Sequence, residues 1–217
     1  MKILITGAAK RIGRMMAEHF AEQGHHIAIH YNSSSDDAET LLHSLNNSEK
    51  HTTIQANLSK LKDAEELLPK LIKDWGAPDV IINNASTYFR RGMSKFTNDE
   101  LVDDFTVNFF SPLVLMREFK KLCGKGRIIN FVDRRVDFTD PEAGPYALAK
   151  KSLRDATLAC AEEWSPDIQV NAIAPGPVLF PDEDYKQAQK SDSLKRILEK
   201  VEELLNKDYT ASITIIE

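Results

Sequence analysis

Cysteine is almost missing from this sequence: Cys123 and Cys160 are the only two, which excludes a disulfide framework and a cysteine-based zinc site. Nine glycines and nine prolines in 217 residues are too few for a fibrous repeat or a disordered chain. Long apolar runs are also missing. Ile3-Leu4-Ile5 gives way at once to polar residues, which fits neither a signal peptide nor a membrane span. There is no excess of basic charge either; the formal net charge is -5, which argues against a dedicated nucleic-acid binder. The six histidines all lie between His19 and His51, outside any cluster of acidic or cysteine ligands. They read as structural or solvated, so no metal is expected. A soluble, cytoplasmic chain acting on a small molecule, with no nucleic-acid or membrane partner, is the expectation.

What is present suits one α/β domain. A hydrophobic content of 42% can bury a full core over residues 1–217. Short apolar runs recur at Lys2–Thr6, His26–Tyr31, Thr52–Ala56, Asp79–Asn83, Arg127–Val132 and Ile168–Ile173, with a further candidate at Ser212–Ile216. Helix-prone stretches separate them, among them one from Asn98 to Leu122 that should bend at Pro112, and a charged one over Asp182–Asn206. Strands alternating with helices predict a doubly wound parallel sheet of the Rossmann type. In such sheets ligands bind beyond the carboxyl ends of the strands. Gly7, Asn32, Asn84, Asp133 and Pro175 all follow predicted strands, so their loops should share one rim.

Two stretches carry chemistry. The first strand runs into Gly7-Ala8-Ala9-Lys10-Arg11-Ile12-Gly13 and then an amphipathic helix. Strand, glycine turn and helix together aim backbone N–H groups at a phosphate, and Arg11 adds a fixed cation. The second strand ends in Tyr31-Asn32-Ser33, with no acid before Asp36. An NAD-preferring fold usually has a carboxylate there for the ribose hydroxyl; neutral donors beside Arg11 favour the 2′-phosphate of NADPH. The plainer alternative is a serine-rich helix cap, and one turn can be both. In the second stretch, Tyr146 and Lys150 stand four apart in a helix-prone run, which puts them on one face. An ammonium beside a phenol favours phenolate, giving a tuned proton donor. Taken alone, such a pair is more often an ordinary helix face.

The motifs TGAAKRIG at Thr6–Gly13, NNAS at Asn83–Ser86, Asn108, YALAK at Tyr146–Lys150 and NAIAPGPV at Asn171–Val178 resemble, in order and spacing, the short-chain dehydrogenases/reductases. Arg11, His30-Tyr31, the aromatic Tyr88, Asp133 and Leu179-Phe180 look most like the pteridine reductase and dihydromonapterin reductase branch. The resemblance implies Tyr146 as proton donor, Lys150 as its tuning cation and ribose ligand, Asn108 as support for a relay water, and Asp133 in place of the usual serine. It implies cofactor contacts from Gly7, Arg11, Ile12, Tyr31, Asn32, Ser33, Asn57, Leu58, Asn84, Ala85, Lys150, Pro175 and Gly176. Substrate contacts would come from Arg11, Ser86, Tyr88, Asp133 and Tyr146, with Tyr88 stacking a flat pterin.

The sequence also departs from the branch. Tyr88 replaces the usual Phe, Asn57 an Asp, and Ser33 a basic residue. From about residue 179 the substrate-loop and C-terminal region is short. Arg134 and Arg135 adjoin Asp133, either meeting an acidic substrate tail or forming a solvated edge. An NADPH-dependent pterin reductase, homodimeric or tetrameric, is the leading expectation. The alternatives are a reductase of a ketone or 3-oxoacyl thioester, and a catalytically idle NADP(H) binder.

Overall fold

In the computed structural model, which describes residues 1–176 and 192–216, strands and helices alternate along the chain. The order is β1 (Lys2–Ile5), α1 (Arg11–Glu22), β2 (His26–Tyr31), α2 (Ser35–Ser44), β3 (Thr52–Gln55), α3 (Leu61–Asp74) and β4 (Val80–Asn83). Then come α4 (Asn98–Phe105), α5 (Ser111–Cys123), β5 (Gly126–Phe131), α6 (Gly144–Trp164), β6 (Ile168–Pro175), α7 (Asp192–Asn206) and β7 (Ile213–Ile216). All strand pairs are parallel, in the order β3-β2-β1-β4-β5-β6-β7. The strand order reverses between β1 and β4, so the crevice for a ligand opens there.

The continuous apolar runs follow from burial on both faces of the sheet. Successive side chains point to opposite sides. Ile3, Ile5, Ile27, Ile29, Val80 and Ile82 therefore join the core formed with α1, α2 and α7. Leu4, Ala28, Ile81, Ile128, Val170 and Ala172 join the core formed with α3, α5 and α6. One polar line crosses this second layer. The Asn83 amide donates to Asn130 Oδ1 at 2.8 Å, and the Asn130 amide donates to Thr157 Oγ1 on α6 at 2.9 Å. All three residues are buried.

The helical stretch expected from Asn98 to Leu122 runs unbroken from Asn98 to Cys123, with a π-helical turn at Thr106–Phe110 between α4 and α5. Pro112 follows the π-helical turn directly, in the first turn of α5. The charged helix expected from Asp182 is described from Asp192 onward. Pro177, Val178, Leu179 and Phe180 lie outside the described residues.

Candidate active site

The loops leaving β1, β4, β5 and β6 meet on one rim, and the first is built for close approach. Gly7 has a left-handed φ of 64°, open to glycine at little cost. A Cβ on Gly13 would stand 2.3 Å from the Gly7 carbonyl oxygen, so helix and turn meet only because Gly13 has none. Arg11 opens α1 with φ at 53°, an uncommon conformation for a residue with a side chain. Asn84 holds the turn from β4: its amide donates to the carbonyls of Thr6 (2.9 Å) and Gly7 (3.3 Å). Ala85 packs on Gly7, and its N–H donates to Thr6 Oγ1 at 2.9 Å. Tyr31, Asn32 and Ser33 end β2 beside this turn, Asn57 and Leu58 follow β3, and Pro175 and Gly176 close β6. Ile12 is half-buried against the core. The cradle fits a dinucleotide phosphate, because its turn admits no further side-chain atoms and a helix N-terminus faces it.

Tyr146 and Lys150 rise from the first two turns of α6, both buried. The Tyr146 hydroxyl donates to Asp133 Oδ2 at 3.0 Å. Burial holds the phenol well above its ordinary pKa, and the Asp133 charge adds to this; the Ser86 hydroxyl and Arg135 act the other way. Lys150 has a partner of its own. The Lys150 ammonium donates to the Phe131 carbonyl at 2.8 Å and sits 5.9 Å from the Tyr146 ring centroid. Burial lowers its own pKa to about 8, against the pull of Asp133. At neutral pH the tyrosine therefore keeps its proton, and Asp133 orients it.

Tyr88 stands over this group. Its ring lies 4.7 Å from that of Tyr146, at 58°. Asn108 lies below, in the π segment, which turns its side chain out of the α-helical rows. Its Oδ1 accepts from Ser86 Oγ at 2.6 Å, and its amide donates to the carbonyls of Thr87 and Asp104, each at 3.0 Å. Asn108 thus fixes the loop carrying Ser86 and Tyr88. Gly7, Asn84, Ser86, Tyr88, Asn108, Asp133, Tyr146 and Lys150 form one connected cluster around the switch point. Asn57 is turned to its own loop, its Oδ1 accepting from Ser59 N–H and Oγ.

Comparison with known proteins matches this arrangement to a family. The model of the short chain dehydrogenases matches residues 1–191. The chain is a member of the short chain dehydrogenase family. Among its relatives is the 3-oxoacyl-[acyl-carrier-protein] reductase of Staphylococcus epidermidis, 27% identical over 91% of this chain and 82% of that protein. Another is pteridine reductase 1 of Leishmania tarentolae, 29% identical over 85% of this chain and 81% of that one. Among solved structures, FolM alternative dihydrofolate reductase 1 of Brucella suis in complex with NADP superposes with a TM-score of 0.85. It is 28% identical, and the match covers 100% of this chain and 93% of that one.

Three residues beside the site take structural roles that the motifs do not state. His30 is buried, accepts the Gly7 N–H on Nδ1 at 3.0 Å and faces the Ala56 carbonyl with Nε2 at 3.1 Å. Burial lowers its pKa to about 4, so it is a neutral strut between the glycine turn and β3. Lys10 pairs with Asp37 at 2.9 Å, offsetting one of the two acids in the first turn of α2. Arg135, one of two readings a solvated edge, is bound to Asp133 and Asp140 at 3.0 and 2.7 Å. Only its neighbour Arg134 is exposed. A cation two residues after Asp133 was the available signal; its direction was not legible.

Proposed function

We propose that this dehydrogenase is an NADPH-dependent reductase of pterin-like rings. The observation that carries the reading is the Tyr146–Asp133 hydrogen bond beneath the Tyr88 ring. A carboxylate beside the proton donor repels the alkoxide that forms on a carbonyl substrate, whereas a heterocycle with ring nitrogens and amino groups gives it N–H partners. A flat ring also suits an aromatic lid with a few placed polar groups. The names of the Leishmania and Brucella relatives point the same way.

Gly7, Arg11, Ile12, Asn32, Ser33 and Asn84 line the rim that would hold NADPH, with Lys150 reaching its ribose. When bound, the nicotinamide supplies hydride to the carbon of a ring C=N bond. Tyr146, protonated at rest, gives its hydroxyl proton to the adjacent nitrogen. Lys150, one turn along α6, offsets the phenolate left behind. Asp133 orients both the phenol and the ring, and Asn108 holds Ser86 and Tyr88 in place.

The test is NADPH consumption with dihydropterins and with simple ketones, in wild type and in Asp133→Ser. Asp133→Ser is expected to lower kcat/KM on dihydropterins by roughly tenfold or more and to spare or improve ketones. An unchanged ratio of the two removes the pterin-specific role. The 3-oxoacyl reductase relative supports a second reading, in which the ketones are preferred by the wild type.

A further inference from the structure

Four arginines stand on the two loops beside the site, and three of them are matched by carboxylates of the chain. On the loop after β4, Arg90 pairs with Glu142 and Arg91 with Glu100, the second at 3.0 Å. On the loop after β5, Arg135 is held by Asp133 and Asp140, and it faces the Tyr88 ring at 5.3 Å. Arg134 is the exception. It is exposed, and among the described residues no ion pair joins it to a carboxylate. The two neighbours part in direction: Arg135 turns towards the β4 loop, Arg134 towards the end of β6. A Cβ on Gly176 would stand 3.6 Å from Arg134 Cδ and 4.0 Å from Nη1. The guanidinium also lies 5.9 Å from the ring centroid of Phe138, another exposed residue. A cation on this rim has two anions to choose from, a cofactor phosphate or a group on the substrate. The phosphate cradle is the glycine turn after β1, and β5 lies two strands away, roughly 10 Å across the sheet. Arg134 stands beyond β5 from that cradle and directly follows Asp133.

We propose that Arg134 is a specificity-determining residue: it receives a carboxylate carried on a substituent of the pterin-like ring, so the protein selects acidic ring substrates over neutral ones. Phe138 gives the linking atoms an apolar surface. This inference deepens the proposed function and rests on it. A guanidinium presents five donors in a planar fork that matches a carboxylate. One already packed over Gly176 and against a ring gives up less freedom on binding. The nearby Asp133 carboxylate does not occupy it, because Arg135 is the cation bound there.

The experiment is calorimetric binding of two matched pairs of probes to the protein–NADP complex. One pair is 6-carboxypterin and its primary amide; the other is pteroic acid, whose carboxylate sits at the end of an aromatic linker, and its primary amide. Within a pair only the charge differs. Wild type is expected to bind the acid of at least one pair about three- to tenfold more tightly than its amide, and the gap should narrow as salt is raised. Arg134→Gln should abolish the gap while leaving amide binding near wild type; a merely structural role would weaken acid and amide alike. Arg134→Lys, which keeps the charge without the fork, should retain part of it, and Arg90→Gln, on the neighbouring loop, should retain it all. Binding of NADP itself should be equal in wild type and Arg134→Gln. A loss of NADP affinity in Arg134→Gln gives the cation to the cofactor phosphate and overturns the inference. So does a wild type without a gap, or a gap that survives Arg134→Gln. Pterins that bind without a gap leave the proposed function standing. Failure of all four probes to bind sinks the proposed function, and the inference falls with it.

Discussion

Lys150 is fully buried in a site whose nearest anion is one carboxylate, and that has an energetic consequence. Its pKa is about 8 in the folded chain against 10.5 for the free group. Between those values the unfolded chain binds more protons than the folded one, so stability rises with pH across the interval and is lost as the pH falls through 8. At neutral pH the penalty is about 3 kcal/mol. Lys150→Met should therefore raise the melting temperature of the cofactor-free protein at neutral pH while abolishing turnover. The gap to wild type should close as the pH rises from 8 towards 10, which thermal melts across that range would check; a constant gap contradicts the assignment. Tyr146 behaves oppositely, because its folded pKa is raised and its contribution is lost only in stronger base. Tyr146→Phe is expected to leave NADPH binding near wild type and to lower kcat by at least a hundredfold; retention of most activity would mean another acid serves. Arg11→Ala should weaken NADPH more than NADH, by roughly tenfold in a binding titration. Equal losses for both cofactors would remove the phosphate role from Arg11.

Elements place these residues, and they differ in how plainly the sequence announces them. The glycine turn, the strand ends and the α6 face are legible because each rests on a local rule: a missing Cβ, a period of two, a spacing of four. The π segment at Thr106–Phe110 is not, since its extra residue is set by contacts made across the fold, from Asn108 to Ser86, Thr87 and Asp104. Nor could spacing show which way the Lys150 ammonium turns, because the Phe131 carbonyl that captures it belongs to another element. Met116 and Leu153, apolar residues that could by composition equally face a partner, are fully buried in their own core; burial, unlike periodicity, depends on what lies opposite. For the π segment we expect Asn108→Ala to cost about 1–3 kcal/mol of stability, as buried carbonyls lose a donor. It should also lower kcat through the loosened Ser86–Tyr88 loop. Denaturant unfolding and initial rates measure both, and a stable variant with full activity would show that the segment does not support the site.

The whole molecule presents an apolar face where α4, the π segment and α6 meet. Val102, Phe110, Leu148 and Leu158 are exposed there, and the rings of Phe105, Phe109 and Phe110 meet one another edge-on or tilted. We propose that a second copy covers this face in a homo-oligomer. Sedimentation at micromolar concentration should give at least twice the chain mass, and Leu158→Glu with Phe110→Glu should return it to one. A single-chain mass in the unaltered protein overturns the assembly. Across the same layer runs the buried line from Asn83 through Asn130 to Thr157. Thr157 lies about three turns, some ~16 Å, along α6 from Tyr146, and so on the same side of the helix. Sliding β4 against β5 by one residue, or rolling α6 by one, would strand amide groups in hydrocarbon at a cost of several kcal/mol. The line therefore works as a registration mark. It lets hydrocarbon packing tolerate drift elsewhere while the angular phase of α6, and with it the aim of the phenol, is read off a distant hydrogen bond.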